Sequence, residues 1–246
     1  MITLHHNTAS AVHEQAAWAG AQFILLGVLA STIGLGPLGW AAGLAYGFAT
    51  WALLSYALQR SRTSLGPADR VTLGRGVLVG GVTALVADRA GEGVPTTIVV
   101  TFAAIALALD FVDGQVARRT GTASKLGARF DMEVDAFLIL VLSAYVALSF
   151  GPWVLLIGFM RYLFVAASWK LSWMRAALPH SMARKTVAAV QGIVLVVAAS
   201  GIVPGSGVLV ALALASLVWS FGRDIGWLWR CRVAVTSVPV EGFSRV

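Results

Sequence analysis

Long apolar runs dominate the chain, and polar residues gather in the short segments between them. A run of about 20 apolar residues is long enough to cross a bilayer as a helix. Gly36-Pro37, Gly151-Pro152 and Pro204-Gly205 are typical of tight turns between paired helices. The pattern predicts eight membrane helices, at roughly 17–35, 38–58, 71–87, 95–113, 132–150, 152–171, 186–202 and 206–222. We therefore expect an all-α, polytopic integral membrane protein.

The composition supports a membrane protein and argues against other classes. The chain has 246 residues, of which 58% are hydrophobic and 12% charged, and soluble domains are more polar than this. Its net charge of +7 would suit nucleic acid, but the basic residues lie in short loops, where they set topology and meet anionic lipid. Cys231 is the single cysteine, and the four histidines lack ligand spacing. We expect a lipid bilayer as partner and no nucleic acid.

Lysine and arginine predict the orientation in the membrane. They concentrate in segments 59–70, 114–130 and 170–185 and in the tail after 222, whereas the other turns hold only Arg89. By the positive-inside rule, the basic segments and both termini face the cytoplasm. In a bacterium the membrane would be the cell membrane.

Five of the 11 acidic residues lie between positions 110 and 135. Asp110 and Asp113 end one apolar run, and Asp131 and Asp135 begin the next. Spacings of three and four place each pair on one helix face, whereas Glu133 faces away from its neighbours. We expect the two pairs to face each other across a helical hairpin at the membrane boundary, joined by a connection over 114–130.

Four carboxylates crowded at a membrane boundary need positive charge to compensate them. Clusters of oxygen ligands are what hard divalent cations prefer, with Mg²⁺ the first choice and Mn²⁺ the second. Two ions about 3.5–4 Å apart are the usual clamp for displacement at phosphorus. The expected metal ligands are Asp110, Asp113, Asp131 and Asp135.

The acidic segment resembles the motif of the CDP-alcohol phosphotransferase (CDP-alcohol phosphatidyltransferase) family. The resemblance covers residues 66–222 as a six-helix core. It leaves 1–65, with two extra helices, and the basic tail 223–246 unexplained. All eight fixed positions of the motif are present: Asp110, Asp113, Gly114, Ala117, Arg118, Gly127, Asp131 and Asp135.

The resemblance implies an activity and roles for the acids. Enzymes of this family transfer a substituted phosphate from a CDP-linked lipid or alcohol to an acceptor hydroxyl, releasing CMP. Asp110 and Asp131 would touch both Mg²⁺ ions, Asp113 the first and Asp135 the second. Asp135 would also be the catalytic base that takes the acceptor proton. The likeness further implies a homodimer acting in phospholipid biosynthesis, with CDP-diacylglycerol as donor.

The resemblance also implies a donor site. Gly114 would allow close approach of the nucleotide, Ala117 would leave room for it, and Arg118 would bind the diphosphate. Segment 67–75 resembles the family's Pro-x-[Asn/Asp]-x-x-Thr-x-x-Arg helix start, although Pro followed by Asp is also typical of an ordinary helix start. Ser124 is either a nucleotide contact or a loop serine. The donor-site residues are Asp69, Thr72, Gly114, Ala117, Arg118 and Ser124.

Basic residues suggest where the acceptor binds. Arg161 lies inside the sixth predicted helix, and a lone charge in a membrane helix indicates a functional site. A phosphorylated alcohol such as glycerol 3-phosphate or inositol phosphate would suit such charges. The sequence does not identify the acceptor, so serine, another small polar alcohol and a second lipid stay open as alternatives. Alternatively they are topology signals, with Arg161 paired to the aspartates. The candidate acceptor residues are Arg75, Arg161, Lys170, Arg175 and Lys185.

Two other functions fit parts of the pattern. A membrane prenyltransferase also uses aspartates and Mg²⁺, but it needs two separated acidic clusters and this chain has one. A cation transporter would carry its acids near the middle of membrane helices, whereas these acids lie at helix ends. Both remain alternatives to the phosphotransferase.

Overall fold

The protein is helical throughout the part that the structure, a computed structural model, describes: residues 2–61, 66–88, 93, 95–120, 125–176, 178–179 and 181–236. The prediction of an all-α fold is confirmed there. Two single-turn helices, Pro152–Val154 and Ser172–Arg175, flank α6. The α-helices are α1 (Ile2–Ile33), α2 (Pro37–Ser61), α3 (Pro67–Asp88), α4 (Thr96–Thr120), α5 (Lys125–Phe150), α6 (Leu155–Lys170), α7 (Met182–Ser200) and α8 (Ser206–Thr236).

Seven of these helices are long and apolar enough to cross a membrane, which makes the chain a multi-pass membrane protein. The exception among the described residues is α4, whose apolar stretch, Thr96–Val112, is shorter. The eight predicted helices therefore correspond to eight observed ones, seven of which meet the length and hydropathy of a full span.

The helices around the acidic motif extend further than predicted. The connection expected over 114–130 is wrong, because α4 continues to Thr120 and α5 already begins at Lys125. Hydropathy marks where a helix leaves the bilayer and not where its backbone hydrogen bonds end. Gly114 is accommodated within α4, since a glycine inside a helix costs only about 1 kcal/mol.

The predicted tight turns are present and use glycine where the backbone needs it. Gly151 (φ 99°), Gly201 (φ 66°) and Gly205 (φ 74°) adopt positive φ values that other residues avoid. These turns bring consecutive helices side by side and antiparallel.

Helix α3 lies at the centre of the bundle and packs against α1, α2, α4 and α5. Val79, Val82 and Leu85 are completely or almost completely buried in the core. Helices α5 and α6 approach closely at Gly158, where a Cβ atom would lie 2.6 Å from Cα of Leu140. The centre of the bundle is thus a closely packed support for polar side chains carried by α3, α4 and α5.

The N-terminal helices are joined to this core by a polar contact. Asp88, the last residue of α3, accepts hydrogen bonds from the backbone N–H groups of Gly36 (2.9 Å) and Gly39 (3.1 Å). A carboxylate at this position satisfies free amides at the start of α2 and interacts favourably with its helix dipole.

Candidate active site

Three aspartates meet where α4 and α5 lie beside α3. Asp110 comes from α4, whereas Asp131 and Asp135 lie one turn apart on α5. One carboxylate oxygen of each lies within 4.8 Å of the others. Their side chains are between 32% and 40% exposed, so the cluster is accessible from outside the bundle.

Arg75 of α3 lies in the middle of this cluster, with a side chain that is completely buried. Its Nη1 contacts Asp110 Oδ1 at 2.5 Å. Its Nη2 contacts Asp131 Oδ1 at 2.6 Å and Asp135 Oδ1 at 2.9 Å. The planar guanidinium, with several donors in a fixed geometry, can hold carboxylates from two helices at once. Arg75, which the sequence grouped with the acceptor residues, therefore lies among the candidate metal ligands.

The charges and ligand atoms of the cluster fit a divalent cation. Counted as formal charges, three carboxylates beside one guanidinium leave an excess of two negative charges. The ligand atoms are all oxygens, which suits Mg²⁺ or Mn²⁺ better than a soft metal. The partial exposure of the carboxylates makes them accessible to an ion from outside the bundle.

The fourth expected ligand, Asp113, lies on the helical backbone of α4 three residues beyond Asp110. Its side chain lies outside the described residues, as do those of Ala117 and Arg118. Ser124 lies outside them entirely. Gly114 is part of α4 and is half-buried.

Asp69 and Thr72 are buried on the first turns of α3. Asp69 Oδ2 accepts a hydrogen bond from the backbone N–H of Gly66 at 2.8 Å, which is how a carboxylate in the first turn closes a helix start. Asp69, Thr72 and Arg75 follow at intervals of three and so share one side of α3. A row of polar side chains therefore runs along α3 to the aspartates.

Arg161 of α6 forms an ion pair with Glu133 of α5, with Nη2 and Oε1 2.5 Å apart. Within the described residues, its Nε atom is buried and has no hydrogen-bond partner. The alternative expectation paired Arg161 with the aspartate cluster. The observed partner is instead Glu133, which faces away from Asp131 and Asp135 on α5.

The other basic candidates lie near the ends of α6 and α7. Arg175 donates from Nε to the Ser168 carbonyl and from Nη2 to the Trp169 carbonyl, both at 2.8 Å. It thereby supplies hydrogen-bond donors to backbone carbonyl groups in the last turn of α6, which lack partners within the helix. Lys170 and Lys185 are exposed. Neither lysine makes a hydrogen bond or ion pair with the described part of the chain.

Sequence reasoning missed two features of this region. One is the contact of Arg75 with all three aspartates, although a lone charge within a membrane helix was a usable signal. The other is the pair of Arg184 on α7 with Asp224 on α8, 3.3 Å apart. Nothing in the local sequence links residues 40 positions apart.

The family model described as CDP-alcohol phosphatidyltransferase matches residues 67–219. No curated protein sequence and no solved structure matches the chain. The matched segment starts with α3 and ends within α8, so it contains Arg75, all three clustered aspartates and Arg161. Helices α1 and α2 precede it.

Proposed function

The chain belongs to the CDP-alcohol phosphatidyltransferase family, and from this premise we propose that it transfers a phosphatidyl group from CDP-diacylglycerol to an acceptor alcohol in phospholipid synthesis. Family membership gives a membrane transferase that uses a CDP-alcohol. The observation that best supports a working site is the convergence of Asp110, Asp131 and Asp135 within 4.8 Å.

We propose that the site uses two Mg²⁺ ions, with Mn²⁺ as a substitute. Asp110, Asp113, Asp131 and Asp135 would be their ligands. When bound, such ions polarise the phosphate and neutralise charge that develops on its oxygens. Arg75 would keep the carboxylates of α4 and α5 together, since it contacts one on α4 and two on α5.

Asp135 is our candidate for the general base. The acceptor oxygen would attack the phosphorus on the lipid side of the diphosphate as its proton moves to an Asp135 carboxylate oxygen. A new phosphorus–oxygen bond to the acceptor forms, the bond to CMP breaks, and CMP leaves. Arg75 Nη2, 2.9 Å from Asp135 Oδ1, would fix the orientation of the carboxylate. Positioning of this kind is what general base catalysis requires.

The donor nucleotide would lie between the start of α3 and the end of α4. Asp69 and Thr72 share one side of α3 with Arg75, which supports a binding strip leading to the diphosphate. Gly114, Ala117, Arg118 and Ser124 would complete the donor site.

The acceptor would be a phosphorylated alcohol such as glycerol 3-phosphate or inositol phosphate. Arg161 is the leading candidate, because an acceptor phosphate could replace Glu133 as its partner. Lys170 and Lys185 have free ammonium groups in the described structure. Arg175 is engaged with the backbone of α6, so we assign it a smaller part.

We further propose that the site and both termini face the cytoplasm and that the enzyme is a homodimer. The orientation rests on the basic segments. Small residues in the membrane helices allow close packing of a second copy.

The test is to incubate purified protein with CDP-diacylglycerol, Mg²⁺ and a panel of alcohols while following CMP. We expect CMP release that requires Mg²⁺ and one class of acceptor, with Asp135→Asn as the inactive control. Release of diphosphate from a prenyl substrate would instead identify a prenyltransferase. Metal flux into proteoliposomes without nucleotide would identify a transporter.

A further inference from the structure

A large cavity of about 1310 Å³, open to the outside of the bundle, lies between α2 and α5 and is also lined by one residue each of α3 and α6. More than half of the residues that line it belong to α2. That helix precedes the segment matched by the family model. The cavity is therefore a feature that the N-terminal addition creates.

The side chains on α2 explain the empty volume. Ala42, Ala45, Ala49 and Ala57 all line the cavity, and their spacing of three, four and eight residues keeps them on one side of the helix. Alanine side chains leave room that larger ones would fill. The facing wall on α5 is formed by apolar residues such as Phe137. The body of the cavity is thus apolar and extends along α2 from Ala42 to Arg60.

One end of the cavity is cationic. Arg60 in the last turn of α2 and Arg129 in the first turns of α5 both line it and are exposed. Arg60 Nη1 donates to Tyr56 Oη at 3.0 Å, which positions its guanidinium at the rim. Glu133, the acid on this wall, is paired with Arg161. The net charge at this end is therefore positive.

We propose that the cavity binds one anionic phospholipid, with its phosphate between Arg60 and Arg129 and its acyl chains along the alanine side of α2. Two arginines at the headgroup level and an apolar trough beneath them complement this class of lipid. A helix from a second copy would fill the apolar part but would leave both arginines without a counter-charge. Charge complementarity therefore selects the lipid.

This lipid is separate from the transferred one. The cavity is lined on α5 by Phe130, Val134 and Phe137, whereas Asp131 and Asp135 contact Arg75 on another side of the same helix. A lipid held in the cavity therefore does not touch the candidate metal ligands. It would stabilise the docking of α2 against α5.

Native mass spectrometry of the full chain tests the proposal. The protein is first loaded with phosphatidylglycerol or, in a parallel sample, with phosphatidylcholine that has the same acyl chains. Each sample is then transferred into lipid-free detergent. We expect one phosphatidylglycerol to remain bound and phosphatidylcholine to be lost. The double variant Arg60→Gln/Arg129→Gln should retain phosphatidylglycerol about 30-fold more weakly, because each arginine near the headgroup contributes about 1 kcal/mol and a loss of about 2 kcal/mol lowers the affinity about 30-fold. Equal retention by wild type and the double variant would overturn the site.

Further variants distinguish the effect of the arginine charges from the effect of the cavity's shape and from defects in folding. Arg60→Lys/Arg129→Lys keeps both charges and should retain the lipid. Ala49→Phe fills the cavity and should abolish retention of the lipid. Ala41 is exposed on α2 and does not line the cavity, so Ala41→Phe should retain the lipid. Equal behaviour of the two phenylalanine variants would contradict the site.

Two other occupants give distinct results. Displacement of the retained phosphatidylglycerol by added CDP-diacylglycerol would make the cavity part of the donor site and overturn the proposal. A lipid-free dimer that Ala49→Phe converts to monomer would identify a second copy as the occupant. We expect neither result.

Discussion

Arg75 binds Asp131 twice, through the carboxylate Oδ1 at 2.6 Å and through the main-chain carbonyl oxygen at 3.3 Å. This double contact fixes α3 to α5 at the level of the candidate site. Because the arginine side chain is completely buried, it depends on acidic partners to offset the loss of water. The position of the aspartates and the packing of the central helix are therefore coupled.

Replacing Arg75 tests this coupling. Arg75→Met should lower the free energy of unfolding by about 2 kcal/mol, since loss of one partner of a buried pair is costly and the partial exposure of the acids reduces the effect. Arg75→Lys keeps the charge but cannot contact three carboxylates with one planar group, so it should fold and transfer slowly. Thermal unfolding and CMP release measure the two effects. Wild-type thermal stability and wild-type CMP release in both variants would show that Arg75 neither stabilises the bundle nor positions the aspartates.

Asp135→Asn tests the assignment of the base. The amide keeps the shape of the side chain but cannot accept the acceptor proton, so turnover should fall by about 10²–10⁴-fold. Binding of CDP-diacylglycerol, measured by ligand-dependent thermal stabilisation, should persist. Near-normal turnover in this variant would remove Asp135 from that role.

The pair of Arg161 and Glu133 permits a matched test of the acceptor site. Arg161→Ala should raise the KM for the acceptor and leave the KM for the donor nearly unchanged. Glu133→Gln removes the same ion pair but keeps the arginine, and a partly exposed pair is worth only about 0–1 kcal/mol. Its kinetics should therefore stay close to wild type. If Glu133→Gln reproduced the Arg161→Ala defect, the pair would be structural and Arg161 would not bind the acceptor.

Asp88 tests how α2 is attached to the core. Asp88→Asn weakens the bonds to the amides of Gly36 and Gly39 and should cost about 1 kcal/mol of stability. Glu14→Gln is a suitable comparison, because Glu14 makes an exposed 2.6 Å ion pair with Arg70, and its loss should matter less. The readout is thermal unfolding in detergent. A larger loss in Glu14→Gln would contradict the importance of this junction.

Hydropathy and turn residues were sufficient to predict the helical fold. Runs such as 38–58 correspond to observed helices, and glycines such as Gly151 lie in the predicted turns. The error at 114–130 has a physical cause, since helix hydrogen bonds continue after the apolar run ends. Of the four aspartates that the sequence grouped, the structure brings Asp110, Asp131 and Asp135 together, whereas the side chain of Asp113 lies outside the described residues. A spacing of four residues places Asp131 and Asp135 on one face of α5.

Long-range partners could not be read from the sequence. The pairing of Arg75 with Asp110 joins positions 35 residues apart, and that of Arg161 with Glu133 joins positions 28 apart. Such contacts depend on which helices pack together and at what rotation. A lone charged residue in an apolar run indicates that it has a polar or charged partner elsewhere in the chain. Only the packing of the helices identifies that partner.

The most direct test of the shared metal site is Mn²⁺ binding followed by electron paramagnetic resonance in the presence of CDP-diacylglycerol. Wild-type protein should bind two ions per chain, and Glu133→Gln should match it. Asp110→Asn, on α4, and Asp131→Asn, on α5, should each weaken binding of both ions, because we propose that each of these residues contacts both. Undiminished Mn²⁺ binding in Asp110→Asn and Asp131→Asn would contradict the account.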